Sequence, residues 1–202
     1  MREGASVSHE RSIEERQRLL GLTADYLLEH GVLDLRLRTL GDAIGSSHRV
    51  LLYYFASKEE LVTEALDEAG RKSSVRDATL LGPGGTGPVE EELLRVWNLV
   101  SRREQLPLIR LFLQIVATAV HDTGRYSRFL ESLHTEWIQA YSDYLRGHGL
   151  PDDDARSLAS EIIGLQRGLQ FELAIGGEKA SVDRSFAAAA EGWAARIERV
   201  SH

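Results

Sequence analysis

The chain has no cysteine, one methionine and only four prolines. Without cysteine there is no disulfide framework, no thiolate nucleophile and no thiolate metal site. The prolines (Pro83, Pro88, Pro107 and Pro151) stand at breaks between apolar-periodic stretches, never inside one. Long apolar runs are also missing. The longest, LIRLFLQIVATAV (Leu108–Val120), is interrupted by Arg110 and Gln114. It falls short of the roughly 20 residues that span a bilayer. The opening MREGASVSHERSIEERQ lacks the apolar centre of a secretory leader. The expectation is a soluble, cytoplasmic protein with no membrane partner.

What is present is charge of unequal distribution. The net charge is −7, which taken whole disfavours a polyanionic partner. Yet between Arg36 and Lys58 four cations, Arg36, Arg38, Arg49 and Lys58, stand against one acid, Asp42, with His48 as a further titratable group. The acids gather elsewhere, at Glu59–Glu60, Glu90–Glu92 and Asp152–Asp154. A locally basic element on an acidic body remains compatible with nucleic acid.

At 202 residues and 43% hydrophobic content the chain can bury a core, as one large domain or two small ones. No period-2 alternation is sustained, and apolar residues recur at three- and four-residue steps, so the expected class is all-α. A first helix is expected over 13–30, with Leu20, Ala24, Leu27 and Leu28 on its apolar face and Gly31 ending it. Two short helices follow, near 38–44 and 47–54, joined by Gly45. Ser57 then caps a fourth helix, with Glu60 at the third position of a capping box. The segment 82–88 holds four glycines and two prolines and reads as a loop. It lacks the Gly-Lys-Ser/Thr ending of a phosphate loop. Helices are expected beyond it at 89–103, 107–121, 125–147, 152–175 and 181–200.

Two short helices around a tight glycine turn suggest a helix-turn-helix, whose second helix enters the major groove while the first braces it. Thr39 and Ser47, near the two helix starts, can offer a hydroxyl and a backbone N–H to a phosphate. His48 and Arg49 occupy the first turn of the second helix, where an arginine can fork onto a guanine edge. Tyr53 and Tyr54 can reach phosphates while their rings stay packed. Lys58 adds a cation, and Arg38 is a weaker candidate beside Arg36. Leu51, Leu52 and Phe55 are expected in the core.

The run LRTLGDAIGSSHRVLLYYFASKEELV, preceded by a helix ending EHG, resembles the DNA-binding domain of the tetracycline-repressor (TetR) family over about residues 16–65. The aromatic pair, Phe55 and the Ser-Lys-Glu that follows carry the resemblance. Three positions depart from the family pattern: Gly41 stands where alanine is usual, Ser46 where valine is frequent, and Leu52 at the commonest tyrosine position. The resemblance implies a helix-turn-helix DNA-binding domain at 12–57 and a helical ligand-binding and dimerisation domain at 58–202. It further implies a homodimer on a palindromic double-stranded DNA operator, released by a small-molecule effector.

In the larger part, Leu158, Ile162, Leu169, Phe186, Ala190, Trp193 and Ile197 form apolar stripes, and Gly164 and Gly168 would let two backbones approach. Two such helices per chain would make a four-helix bundle in a dimer. Trp97, Trp137 and Tyr141, with Arg110, Gln114, His121, His134, Gln166 and Gln170, are candidate walls and polar groups of an effector site. Their aromatic content suits an apolar or amphipathic molecule. No metal-ligand or nucleophile spacing is evident, so neither an enzyme nor a cofactor is expected. Two alternatives stand beside the effector-controlled repressor. One is a regulator of this fold controlled by a protein partner, the other an all-α ligand-binding protein or enzyme.

Overall fold

A computed structural model describes residues 3–73, 81, 87–122, 124 and 126–201; within these, the side chains of 3–8, 127, 128, 130, 132–134 and 201 are not described. Most of the expected glycine-rich loop, 82–86, lies outside the described residues. The described residues form nine α-helices: α1 (Glu3–His30), α2 (Leu37–Ala43), α3 (His48–Tyr54), α4 (Lys58–Lys72), α5 (Val89–Val100), α6 (Leu106–His121), α7 (Ser127–Gly147), α8 (Asp152–Ala174) and α9 (Lys179–Ser201). A short 3-10 turn, Arg103–Gln105, precedes α6. The all-α expectation holds. The main boundary difference is α1, which starts ten residues earlier than the apolar periodicity suggested. Its first turns are polar, so no hydrophobic stripe marks them.

The chain forms two compact units. The first comprises Met1–Ser73 with Arg110–Arg128, and the second Ser74–Ile109 with Phe129–His202. Thus α4 and most of α6 belong with the N-terminal helices.

In the first unit α1 packs chiefly on α4, and α2 on α3. Leu19, Leu20, Ala24 and Leu27 of α1 are buried, as are Leu61, Val62, Ala65 and Leu66 of α4. Full burial of the leucines and valine among them contributes about 1.5–3 kcal/mol each. Local chemistry fixes the helix ends. The Val50 N–H donates to Ser47 Oγ at 3.3 Å, and the Glu60 N–H to Ser57 Oγ at 3.0 Å. Glu60 returns the interaction one residue beyond the usual position, accepting the Ala56 N–H at 3.1 Å.

In the second unit α5 packs on α9, and α8 on α9. Its core runs from Val89, Leu93 and Trp97 through Tyr141 and Leu145 to Leu158, Ile162, Phe186 and Ile197. Trp97 stacks on Phe186 with ring centroids 4.7 Å apart and donates its indole N–H to Asp183 at 2.8 Å. Lys179 holds the same carboxylate at 2.6 Å. The buried polar atom of the tryptophan is therefore satisfied, as burial requires.

Candidate nucleic-acid interface

The turn between α2 and α3 is built by two glycines acting differently. Gly45 sits at φ +68, a left-handed conformation that an L side chain adopts only at a cost of about 1–2 kcal/mol. The Ser46 N–H reaches back to the Gly41 carbonyl at 2.8 Å, which closes α2 with a Schellman-type bond. Gly41 itself is buried, and a Cβ there would lie 3.0–3.1 Å from the backbone of Ser47 and His48. Absence of a side chain at 41 therefore lets α2 lie directly against the start of α3. The departure from alanine at 41 thus coincides with a close approach of the two helices.

α3 is held by an inner edge and presents an outer one. Leu51 and Phe55 are buried, whereas His48 and Arg49 are exposed. Tyr53 is 79% exposed and Tyr54 only partly so, their rings meeting edge-on at 5.0 Å. Of the two tyrosines, Tyr53 is the more exposed and so the better placed to reach outward. Leu52 corrects the expectation of a third core residue: it is 46% exposed. In a seven-residue helix only one side can face inward, and 51 and 55 define it.

The remaining candidates surround this helix. Arg38 and Thr39 are exposed on α2, and Ser47 is exposed at the α3 N-cap. Thr39 does not cap α2; the N-cap residue is Arg36, without a side-chain cap bond. Lys58 is half-buried and donates to the Leu35 carbonyl at 3.4 Å, which ties its ammonium to the α1–α2 loop.

One positioning residue escaped the sequence reading. Arg16 of α1 donates to both carboxylate oxygens of Glu64 in α4 at 2.7 Å. It also reaches the Tyr54 carbonyl at 3.4 Å and lies over the Phe55 ring at 4.6 Å. It thus ties the end of α3 to α1 and α4. No local motif signals it, because its partners lie 38 to 48 residues away.

The residues read as effector-site candidates fall in both units. In the first unit, Arg110 and His121 are exposed, and Gln114 Oε1 accepts the Val32 N–H at 2.8 Å. In the second, Trp97 is a core residue and Trp137 packs partly buried against that core. The Tyr141 hydroxyl donates to Gln166 Oε1 at 3.0 Å, and Gln170 donates to the Val100 carbonyl at 3.2 Å. Burial is the main reason the Tyr141 hydroxyl is held far above its ordinary pKa, with the Glu92 charge adding to it. The His134 side chain lies outside the described residues. Among the described residues no group of three His, Asp or Glu is arranged to hold a metal, and no helix is long and apolar enough to cross a membrane.

The residues read as a dimer face divide. Leu158, Ile162, Phe186, Ala190, Trp193 and Ile197 are buried inside their own unit, and Leu169 packs partly against them. Their apolar stripes serve the protomer's core. The other side of the same helices is small and open. Gly164, Gly168 and Gly192 are exposed, with nothing among the described residues within 4 Å of an added Cβ, and Phe171 and Ile175, nearby in sequence, are exposed.

A helix-turn-helix carried by the N-terminal helices, followed by longer helices, defines an architecture shared with known regulators. The chain is similar to a protein from Rhodococcus sp. described as a TetR-family transcriptional regulator, at TM-score 0.70 and 17% identity, covering 94% of this chain and 100% of that one. It is similar to another so described from Mesorhizobium loti, at TM-score 0.68 and 19% identity, covering 92% and 97%. A third, a transcriptional regulator from Saccharomonospora viridis in complex with choline, matches at TM-score 0.67 and 21% identity, covering 89% and 95%. No family model and no curated protein matches the sequence. The chain has the fold of TetR-family transcriptional regulators.

Proposed function

We propose that the chain is a sequence-specific DNA-binding transcriptional regulator, a homodimeric repressor released from its operator by a small molecule. The observation that carries this reading is the outer edge of α3. His48, Arg49 and Tyr53 are exposed on a helix whose inner edge is locked by Leu51 and Phe55. Arg49 would read a guanine edge, while Tyr53, Ser47, Thr39 and Arg38 would hold phosphates. Lys58 would supply charge near the backbone, its reach shortened by the Leu35 carbonyl.

The open, small-residue side of α8 and α9 supports a homodimer through Gly164, Gly168 and Gly192. Two recognition helices set about 34–36 Å apart would then demand a palindromic operator. Release would follow from linkage: an effector that binds better to a conformation with misplaced recognition helices lowers DNA affinity by the same factor. A protein of the same fold holding choline supports a small molecule in that role.

Selection from a pool of random duplexes tests the reading. A regulator enriches one palindromic sequence, and its affinity falls linearly in log–log terms with salt. Enrichment of no sequence would contradict it.

A further inference from the structure

Leu52 has no role in the account so far, and its position is informative. One turn of helix relates it to His48 and Arg49, and Tyr53 follows it. It therefore belongs to the exposed edge of α3, about 100° around the helix from buried Leu51. Exposed aliphatic residues are ordinary on a protein surface, and of the two on α3 Leu52 (46%) is more exposed than Val50 (37%). Leu52 stands in the middle of the helix edge assigned to the major groove, flanked by groups that bind polar edges or phosphates. An aliphatic side chain can accept no hydrogen bond from a base. The apolar feature that the major groove offers it is the thymine C5-methyl.

We infer that Leu52 reads a thymine methyl in each operator half-site. The inference rests on the proposed DNA-binding function and names how that surface chooses its sequence. Helical side chains lean toward the helix N-terminus, so the Leu52 contact falls on the Arg49 side of its own position. The thymine accordingly lies within one or two base pairs of the guanine that Arg49 reads.

Full-length protein and the selected operator test this. Each thymine of a half-site is replaced in turn by deoxyuridine, which removes the methyl and leaves base pairing intact. Wild-type affinity is expected to fall about three- to tenfold at one position per half-site. Leu52→Ala binds the unmodified operator more weakly and becomes insensitive to that replacement, while Leu52→Met keeps the sensitivity. Thermal melting of each variant confirms folding, and the wild-type series stands without them. If no position responds, or if Leu52→Ala responds as the wild type does, the inference is overturned while DNA binding stands. If no duplex is bound selectively by the wild type, both fall together.

Discussion

Gln114 Oε1 accepts the Val32 backbone N–H at 2.8 Å across 82 residues of sequence, and it does so through the space that a side chain at Gly31 would occupy. A Cβ on Gly31 would lie 2.5 Å from that oxygen. Gly31 also stands at φ +75, where its N–H caps α1 on the Leu27 carbonyl at 2.8 Å. One glycine thus ends α1 and makes room for α6 to hold the chain that leads into α2.

Gly31→Ala should therefore lower stability by about 2–3 kcal/mol, from left-handed strain and the displaced hydrogen bond. Gln114→Ala should cost about 1–2 kcal/mol by leaving the Val32 N–H without its acceptor. Denaturant melts of the single and double variants check this. The double variant is expected to lose less than the two single losses together, because the clash needs both groups.

Gly41→Ala tests the close approach of α2 and α3. Alanine raises helix propensity by about 1 kcal/mol, but its methyl would press on the Ser47 and His48 backbone. The two effects offset in stability, so the melting temperature should change little. α3 must shift by a few tenths of an ångström, and operator affinity should drop several-fold in a titration. An unchanged affinity would mean that α3 tolerates the shift.

Tyr141 and Tyr144 differ in a way that mutation exposes. The Tyr141 hydroxyl serves buried Gln166, so Tyr141→Phe should destabilise by about 1–3 kcal/mol. The Tyr144 hydroxyl is buried with no hydrogen-bond partner among the described residues, so Tyr144→Phe should be neutral or stabilising at pH 7. Burial, aided by the Glu92 charge, pushes Tyr144 up to about 12. A folded-state value above the unfolded value near 10 means the folded state holds the proton more tightly. The unfolded hydroxyl ionises first, so this group leaves stability unchanged below about pH 10 and lowers it as pH rises from there through 12. Tyr144→Phe should flatten that part of a stability–pH profile.

Gly168→Arg separates dimerisation from folding. A Cβ at 168 meets nothing within 4 Å among the described residues, and leaving glycine favours the helix. The melting temperature of the protomer unit should hold or rise. Sedimentation should show loss of the dimer, and operator affinity should fall at least tenfold with it.

How far these relationships were legible in the sequence depends on their range. Pro107 and Pro151 place the starts of α6 and α8 to within one residue, because proline acts on its own backbone. Gly45 and Ser57 likewise declare a turn and a cap locally. Leu52 did not declare itself. In the run VLLYYF every residue is apolar or aromatic, so periodicity cannot say which edge faces inward; only the anchoring of Leu51 and Phe55 by the rest of the unit does. The stripes of α8 and α9 were legible as apolar faces, but a protomer core and a partner surface leave the same pattern in sequence. Gly164 and Gly168, read as close-approach positions, are the part that lies open. Arg16 and Gln114 find their partners only after folding, and nothing near them in sequence announces either contact.

The most direct measurement is the affinity of the purified protein for DNA flanking its own gene, at two salt concentrations, beside Arg49→Ala. The account predicts tight binding to one fragment, weakening as salt rises. It also predicts a loss of about 1–3 kcal/mol in Arg49→Ala, with relaxed preference at the guanine it reads. Binding equal for all fragments and indifferent to Arg49 would contradict the assignment of α3 as a recognition helix.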